Sequence, residues 1–140
     1  MTRFGRRLAF DYGDVRIGVA VCDPDGILAS PLTTLNAKDP KVLDSIAALI
    51  EEYEPVKIYL GSPIHLSGKS SLSTSNAHAL GERIAARFDT PVTYIDERLS
   101  SVSAAGKLAQ AGVSSRDAKS SIDQMAAVEI LEQGLRLDKA

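Results

Sequence analysis

The sequence has little cysteine, little histidine, no long apolar run and no excess of positive charge, and each shortage excludes a class of protein. Its single cysteine, Cys22, cannot form an internal disulfide, and we expect a small core or strand-end residue there. Two histidines and one cysteine are too few for a zinc cluster. No stretch is long enough to span a membrane, and no secretion signal follows the N-terminus, which predicts a cytoplasmic protein without a membrane partner.

The formal net charge of −2 argues against a strongly basic protein that coats nucleic acid. It leaves room for an enzyme that holds phosphates locally through metal ions, because the ions then carry the positive charge.

The length and composition are those of an ordinary globular protein. A chain of 140 residues with 44% hydrophobic and 24% charged residues suits one domain, 1–140, around one core. Its first seven residues include Arg3, Arg6 and Arg7 and are predicted to be a basic, solvated N-terminal arm.

Apolar periodicity and turn residues predict the element order βββαβαβαα. The predicted strands cover residues 8–12, 17–22, 27–35, 56–60 and 92–95. One helix is predicted after the cap Asp39-Pro40 and ends at Pro55, and a polar stretch, 65–75, precedes a second. The second carries apolar residues from Ala77 to Phe88, and two more cover 102–111 and 121–135, joined by a polar link over 113–119.

The short turns between the first three strands indicate an antiparallel meander, because no crossover fits into them. Helices that alternate with the later strands indicate parallel crossovers onto that meander. The predicted fold class is therefore α/β, with a mixed five-stranded sheet flanked by helices.

The first hairpin is the stretch around which the chain is organised. Asp11 ends its first strand, Gly13 frees the turn, and Gly18 leaves space on the second strand for something to approach closely. An Asp at a strand end can hold a divalent ion over a phosphate, but it is also an ordinary turn former.

Two further acids are candidates for the same site. Glu97 follows the last predicted strand, so it would project from the sheet edge where α/β folds place their ligands. Asp123 precedes Ala126, Ala127 and Ile130 at helical spacing, which puts it on the apolar stripe of the last helix. A buried acid needs a cation or a proton, although an acid near a helix start also complements the helix dipole.

Three carboxylates would form a site of hard oxygen ligands, which suits Mg²⁺ or Mn²⁺ and not zinc. Two such ions could activate a water and stabilise the leaving oxygen of a phosphodiester. The remaining polar candidates are weaker: His65 in a loop and His78 on a helix are expected to be exposed, and Arg98 and Lys119 are either phosphate ligands or surface residues.

Several motifs in a fixed order resemble the YqgF/RuvX family. The motifs are Ala9-Phe10-Asp11-Tyr12-Gly13, Ile17-Gly18-Val19-Ala20, Gly61-Ser62-Pro63, Asp96-Glu97-Arg98-Leu99-Ser100 and Ile122-Asp123-Gln124-Met125-Ala126-Ala127-Val128. Members of this family are described as Holliday junction resolvases and as nucleases that mature the end of pre-16S ribosomal RNA. The chain departs from the family at Ser62, where leucine is usual, and at Ser101, where threonine is usual.

The resemblance implies a ribonuclease H-like fold, with Asp11, Glu97 and Asp123 as the catalytic, metal-binding acids. It implies a nuclease that uses Mg²⁺ or Mn²⁺, with two ions, on pre-16S rRNA or branched DNA. In this hypothesis Gly13, Arg16, Gly18, Arg98 and Lys119 contact phosphates. The ribosome is a candidate partner, and a homodimer would be needed for the paired cuts of a junction resolvase.

Two other functions stay open at this stage. One is a non-catalytic RNA-binding factor in ribosome assembly or transcription, with which the modest net charge is compatible. The other is nucleotide binding, because an Asp and two glycines in a hairpin also resemble the phosphate loop of actin-like ATPases. Those proteins need a second related domain, which 140 residues cannot supply.

Overall fold

Five strands form one sheet, and helices lie on both of its faces. The computed structural model describes residues 4–13, 15–62, 72–96 and 115–139. The strands are β1 Arg7–Tyr12, β2 Arg16–Cys22, β3 Ala29–Asn36, β4 Lys57–Ser62 and β5 Val92–Asp96. The helices within these ranges are α1 Val42–Tyr53, α2 Leu72–Arg87 and α3 Ser115–Lys139.

The strand order across the sheet is β3-β2-β1-β4-β5. The pairs β1–β2 and β2–β3 are antiparallel, whereas β1–β4 and β4–β5 are parallel. This mixed sheet confirms the predicted α/β class and the opening meander. The helix predicted over 102–111 lies outside the described residues.

Alternation along the strands divides the core into two layers. Leu8, Phe10 and Ile58 face α1 and α2, where they pack with Ile46 and Ile84. The intervening residues face α3, and Ala9, Ala20 and Tyr59 pack there with the buried helix residues Ala127, Ile130 and Leu131. Each face of the sheet is therefore covered, and residues of odd number in β1 face α3.

The turn between β2 and β3 begins with Asp23. Its Oδ1 accepts hydrogen bonds from the amides of Ile27 (2.7 Å) and Leu28 (3.2 Å), and Gly26 takes a positive φ of 67°. These bonds hold Ile27 and Leu28 in the turn, so β3 begins at Ala29 and not at residue 27 as predicted. Both side chains are exposed.

The prediction that the N-terminal arm is solvated is wrong for its last residue, Arg7. Arg7 is the first residue of β1 and is buried, because its guanidinium lies over the Phe4 ring and binds Tyr59 and Asp138. The amide of Gly5 also donates to the carbonyl of Pro24 at 2.7 Å. The described part of the arm is thus fixed to the sheet.

Three helix starts differ from prediction. α1 begins at Val42, because Asp39 caps a preceding turn through the Lys41 amide at 2.9 Å and is not the helix cap. α2 begins at Leu72, inside the stretch predicted to be a polar loop. α3 begins at Ser115, so most of the predicted link at 113–119 is helical. Backbone hydrogen bonds extend a helix beyond its apolar stripe, which explains the last two differences.

Within the described ranges, no helix combines the length and the apolar character that crossing a membrane requires.

Candidate functional site

Strand pairing aligns five residues in one row across the sheet. Asp11 pairs with Gly18 on one side and with Gly61 on the other. The row continues outward from these glycines to Thr34 of β3 and Ile95 of β5. Paired residues lie on the same face of a sheet, and Ala9, two residues before Asp11, packs in the layer under α3. Asp11 therefore lies on the α3 face between two glycines that have no side chains.

The backbone of α3 packs directly against Gly18. A Cβ built at Gly18 would lie 1.9 Å from the carbonyl oxygen of Asp123, closer than any real contact. The prediction that Gly18 allows a close approach is thereby confirmed. Because Gly18 is the partner of Asp11, this contact brings the Asp123 segment beside the row that holds Asp11.

Asp123 lies well inside α3, which begins at Ser115. The alternative that it merely complements the dipole at a helix start is therefore wrong, because that effect fades within the first turn. Ala126, Ala127 and Ile130 are buried as the predicted stripe requires, and small alanines allow the close approach to the sheet.

The carboxylate of Asp123 has a cationic partner in Arg16. Arg16 Nε donates to Asp123 Oδ2 at 2.6 Å, and the two side chains are 40% and 21% exposed. Arg16 lies two residues before Gly18 on β2, hence on the same face of the strand. The periodicity of α3 indicated that Asp123 needs a cation, and this contact supplies one.

The turn after β1 fixes the start of β2. The amide of Gly13 donates to the carbonyl oxygen of Arg16 at 2.9 Å, and a Cβ at Gly13 would lie 2.6 Å from that oxygen. Gly13 and Gly18 both have structural roles in this arrangement: one closes the turn, and the other admits α3.

Sequence reasoning missed one contact that orients α3. Gln124 Nε2 donates to Thr34 Oγ1 at 3.0 Å, and Thr34 is paired with Gly18. This bond fixes the rotation of the helix at the residue after Asp123. Nothing in the local pattern around Thr34 signals it, because the two residues are 90 positions apart.

The described structure gives no position in this cluster for the other predicted site residues. Glu97, Arg98 and His65 lie outside the described residues, and Lys119 falls within α3 with its side chain outside them. His78 is exposed, as predicted, and stacks on Tyr94 with ring centroids 4.2 Å apart. Cys22 is buried in the α3 layer, and that burial raises the pKa of its thiol, which fits the predicted core role.

Asp11 and Asp123 bring two hard carboxylate donors to the same face, and that donor chemistry fits Mg²⁺ or Mn²⁺. Among the described residues, no group of three or more His, Cys, Asp or Glu is close enough to hold a metal ion. Glu97 would be the third ligand. It follows directly on β5, which ends at Asp96, and Ile95 belongs to the row that contains Asp11.

Comparison with known proteins gives a consistent result. A family model described as "RuvX: Holliday junction resolvase" matches residues 5–137. A protein of Streptomyces avermitilis named "Putative pre-16S rRNA nuclease" is 44% identical over 139 residues, covering 98% of this chain and 89% of that protein. A protein of Mycolicibacterium smegmatis with the same name is 47% identical over 133 residues, covering 91% and 78%.

Among solved structures, RuvC of T. thermophilus in complex with Holliday junction substrate has a TM-score of 0.61. The two chains are 14% identical, and the match covers 96% of each, so the likeness shows the fold and confirms the expected ribonuclease H-like architecture. Together with the family match over residues 5–137, these findings establish that the chain belongs to the RuvX family of Holliday junction resolvases.

Proposed function

We propose that this chain is a nuclease of the cytoplasm that hydrolyses phosphodiester bonds in structured nucleic acid with the help of Mg²⁺ or Mn²⁺. The observation that supports the proposal is the contact between Gly18 and the Asp123 backbone, because Gly18 is the strand partner of Asp11. Carboxylates on one face repel one another unless cations compensate them, and a divalent ion would do so alongside Arg16.

In this proposal Asp11, Glu97 and Asp123 hold the divalent ions. The assignment of Glu97 rests on the family resemblance and on its position in the sequence directly after β5, whose Ile95 belongs to the row that holds Asp11. When bound, the ions supply Lewis-acid stabilisation of the charge that develops on the phosphate. The protein contributes position: β1 fixes Asp11, and the Gly18 contact fixes Asp123.

Arg16, Arg98 and Lys119 are the proposed phosphate ligands. Arg16 is the best supported of the three, because its partly exposed guanidinium lies beside Asp123. A guanidinium can donate two parallel hydrogen bonds to a phosphate, which orients the nucleic-acid backbone as well as attracting it.

The relatives named for pre-16S rRNA support RNA as the substrate, and the family description supports a branched DNA junction. We propose 5′-end maturation of pre-16S rRNA, with the ribosome as a partner, as the first candidate. Resolution of a junction is the second, and it requires a homodimer, because two strands must be cut together.

The test is cleavage of two labelled substrates, a precursor 16S rRNA end and a four-way DNA junction, with Mn²⁺ present. Asp11→Asn and Asp123→Asn should each abolish cutting while circular dichroism stays unchanged. The matched control is Asp44→Asn, which removes an acid of α1 that pairs with Arg87 on the surface.

We expect the Asp44→Asn protein to cut like the original chain, and the substrate that is cut identifies the nucleic acid. If a folded original chain cuts neither substrate, the non-catalytic RNA-binding role becomes the better account. Full activity of Asp11→Asn would remove Asp11 from the site.

A further inference from the structure

The ion pair between Arg16 and Asp123 occupies one of the two carboxylate oxygens that a divalent ion could bind. Arg16 Nε lies 2.6 Å from Asp123 Oδ2, and more than a third of the Arg16 side chain is exposed. We propose that Arg16 is an exchangeable counter-ion: it binds Asp123 while no metal is present and transfers to a phosphate oxygen of the nucleic acid when a divalent ion binds. This inference rests on the proposed function.

The backbones on both sides of the pair are fixed, whereas the Arg16 side chain is long and partly exposed. The backbone of Asp123 is held against β2, because its carbonyl oxygen occupies the space of a Gly18 side chain. Gln124, the next residue, is bound to Thr34. The backbone of Arg16 is also fixed, since its carbonyl accepts the Gly13 amide. The long, partly exposed Arg16 side chain can therefore leave Asp123 without disturbing α3 or β2.

The two partners of Asp123 compete for its negative charge. A guanidinium stays protonated in proteins, so Arg16 cannot give up its charge when a divalent ion approaches. Two cations on one carboxylate repel each other, and the side chain of Arg16 is the one that can move away. Once released, Arg16 would pair with a phosphate of the nucleic acid, whose negative charge replaces that of Asp123.

Mn²⁺ affinity tests the first half of the exchange. The free-ion signal in electron paramagnetic resonance is followed during titration of the original chain, Arg16→Gln and Arg16→Lys. Removing the competing cation should tighten Mn²⁺ binding about fivefold, since a partly exposed ion pair contributes up to about 1 kcal/mol. Arg16→Lys keeps a competing charge and should stay close to the original chain.

The matched control is Arg87→Gln, which removes an equal charge from an exposed pair with Asp44 at 3.1 Å. It reports the effect of net charge alone, and we expect its Mn²⁺ affinity to be nearly that of the original chain. Arg16→Gln binding Mn²⁺ no more tightly than Arg87→Gln would overturn the proposal. A merely structural role of Arg16 predicts weaker binding, which is the opposite sign.

Nucleic-acid affinity tests the second half. Fluorescence anisotropy of the labelled rRNA end and of the labelled junction is measured with EDTA and with Ca²⁺ at equal ionic strength. Arg16→Gln should weaken binding several-fold in Ca²⁺ and hardly at all in EDTA, where Asp123 already occupies Arg16. An equal loss under both conditions would show that Arg16 contacts phosphate without any exchange.

Failure of this inference can be separated from failure of the proposed function. If the original chain binds Mn²⁺, Asp123→Asn abolishes that binding and Arg16→Gln does not tighten it, the exchange alone is wrong. If the original chain does not bind Mn²⁺ at all, both proposals are overturned.

Discussion

At the scale of single residues, Gly18 has the most constrained surroundings among the glycines described above. The atom that a side chain would meet belongs to the backbone of α3, 1.9 Å from the ideal Cβ position, so no rotamer change relieves the clash. We predict that Gly18→Ala lowers the free energy of unfolding by at least about 2 kcal/mol, as overpacking of a tight core does. Urea denaturation provides the measurement.

Gly81→Ala is the matched control for that prediction. Its Cβ would lie 2.4 Å from the hydroxyl of Tyr94 and 3.0 Å from Leu60 Cδ2, which are ends of side chains and not backbone atoms. Alanine also suits a helix better than glycine, so we expect a change within about 1 kcal/mol. Equal effects of the two substitutions would mean that α3 does not rest on Gly18.

Tyr59 has a strongly raised pKa. Burial and the hydrogen bond that its hydroxyl donates to Asp138 raise the pKa of Tyr59 to about 12, although Arg7 acts in the opposite direction. A raised pKa contributes stability that is complete below the ordinary value of 10.0 and is lost as the pH rises towards 12.

We therefore predict a late step in the alkaline titration of phenolate absorbance, near pH 12, that belongs to Tyr59. Tyr59→Phe should lack this step and keep the earlier ones. Persistence of the late step in the Phe variant would assign the raised pKa to another tyrosine.

At the scale of elements, Asp138 joins the end of α3 to two strands. It accepts hydrogen bonds from Arg7 of β1 and from Tyr59 and Lys57 of β4. Burial alone would raise the pKa of the Asp138 carboxyl, but the bonds from Tyr59 and Lys57 and the charges of Lys57 and Arg7 outweigh it and lower that pKa. Stability from this group is therefore present above the unfolded value of 3.8 and is lost as the pH falls below it.

Asp138→Asn should lower the free energy of unfolding by about 2 kcal/mol at neutral pH, because it leaves the buried Arg7 without its charged acceptor. The difference from the original chain should shrink as the pH falls below 3.8 and through the lowered pKa of native Asp138, where this carboxyl becomes protonated as well. Asp44→Asn, in an exposed pair, should change stability by less than about 0.5 kcal/mol at either pH. A difference that grows in acid would contradict this account.

The same scale shows what the sequence could and could not predict. Periodicity placed Asp123 on the buried stripe, and the glycine pattern indicated a close approach at Gly18, because both signals are local. Arg7 was misassigned, since a run of arginines at a terminus gives no sign of a distant Asp138. The pair of Arg16 and Asp123 is 107 positions apart, so only the folded chain shows it.

At the scale of the whole molecule, α3 is the described helix that packs on one face of the sheet. Ala9, Ala20 and Tyr59 are fully buried only because residues such as Ala127 and Leu131 lie on them. We predict that a chain shortened to residues 1–112 exposes this face, binds the dye anilinonaphthalene sulfonate and loses cooperative thermal unfolding. A shortened chain that stays monomeric and unfolds cooperatively would show that the sheet is stable without its cover.

The contact between Gly18 and Asp123 also determines when the proposed site is completed during synthesis of the chain. One acid of the proposed site lies in the first strand to be synthesised, and another lies in the last helix of the described chain. A nascent chain whose α3 is still inside the ribosomal tunnel therefore lacks the second acid, however well its hairpin has formed. The proposed site is complete only once α3 has been synthesised and has docked on Gly18.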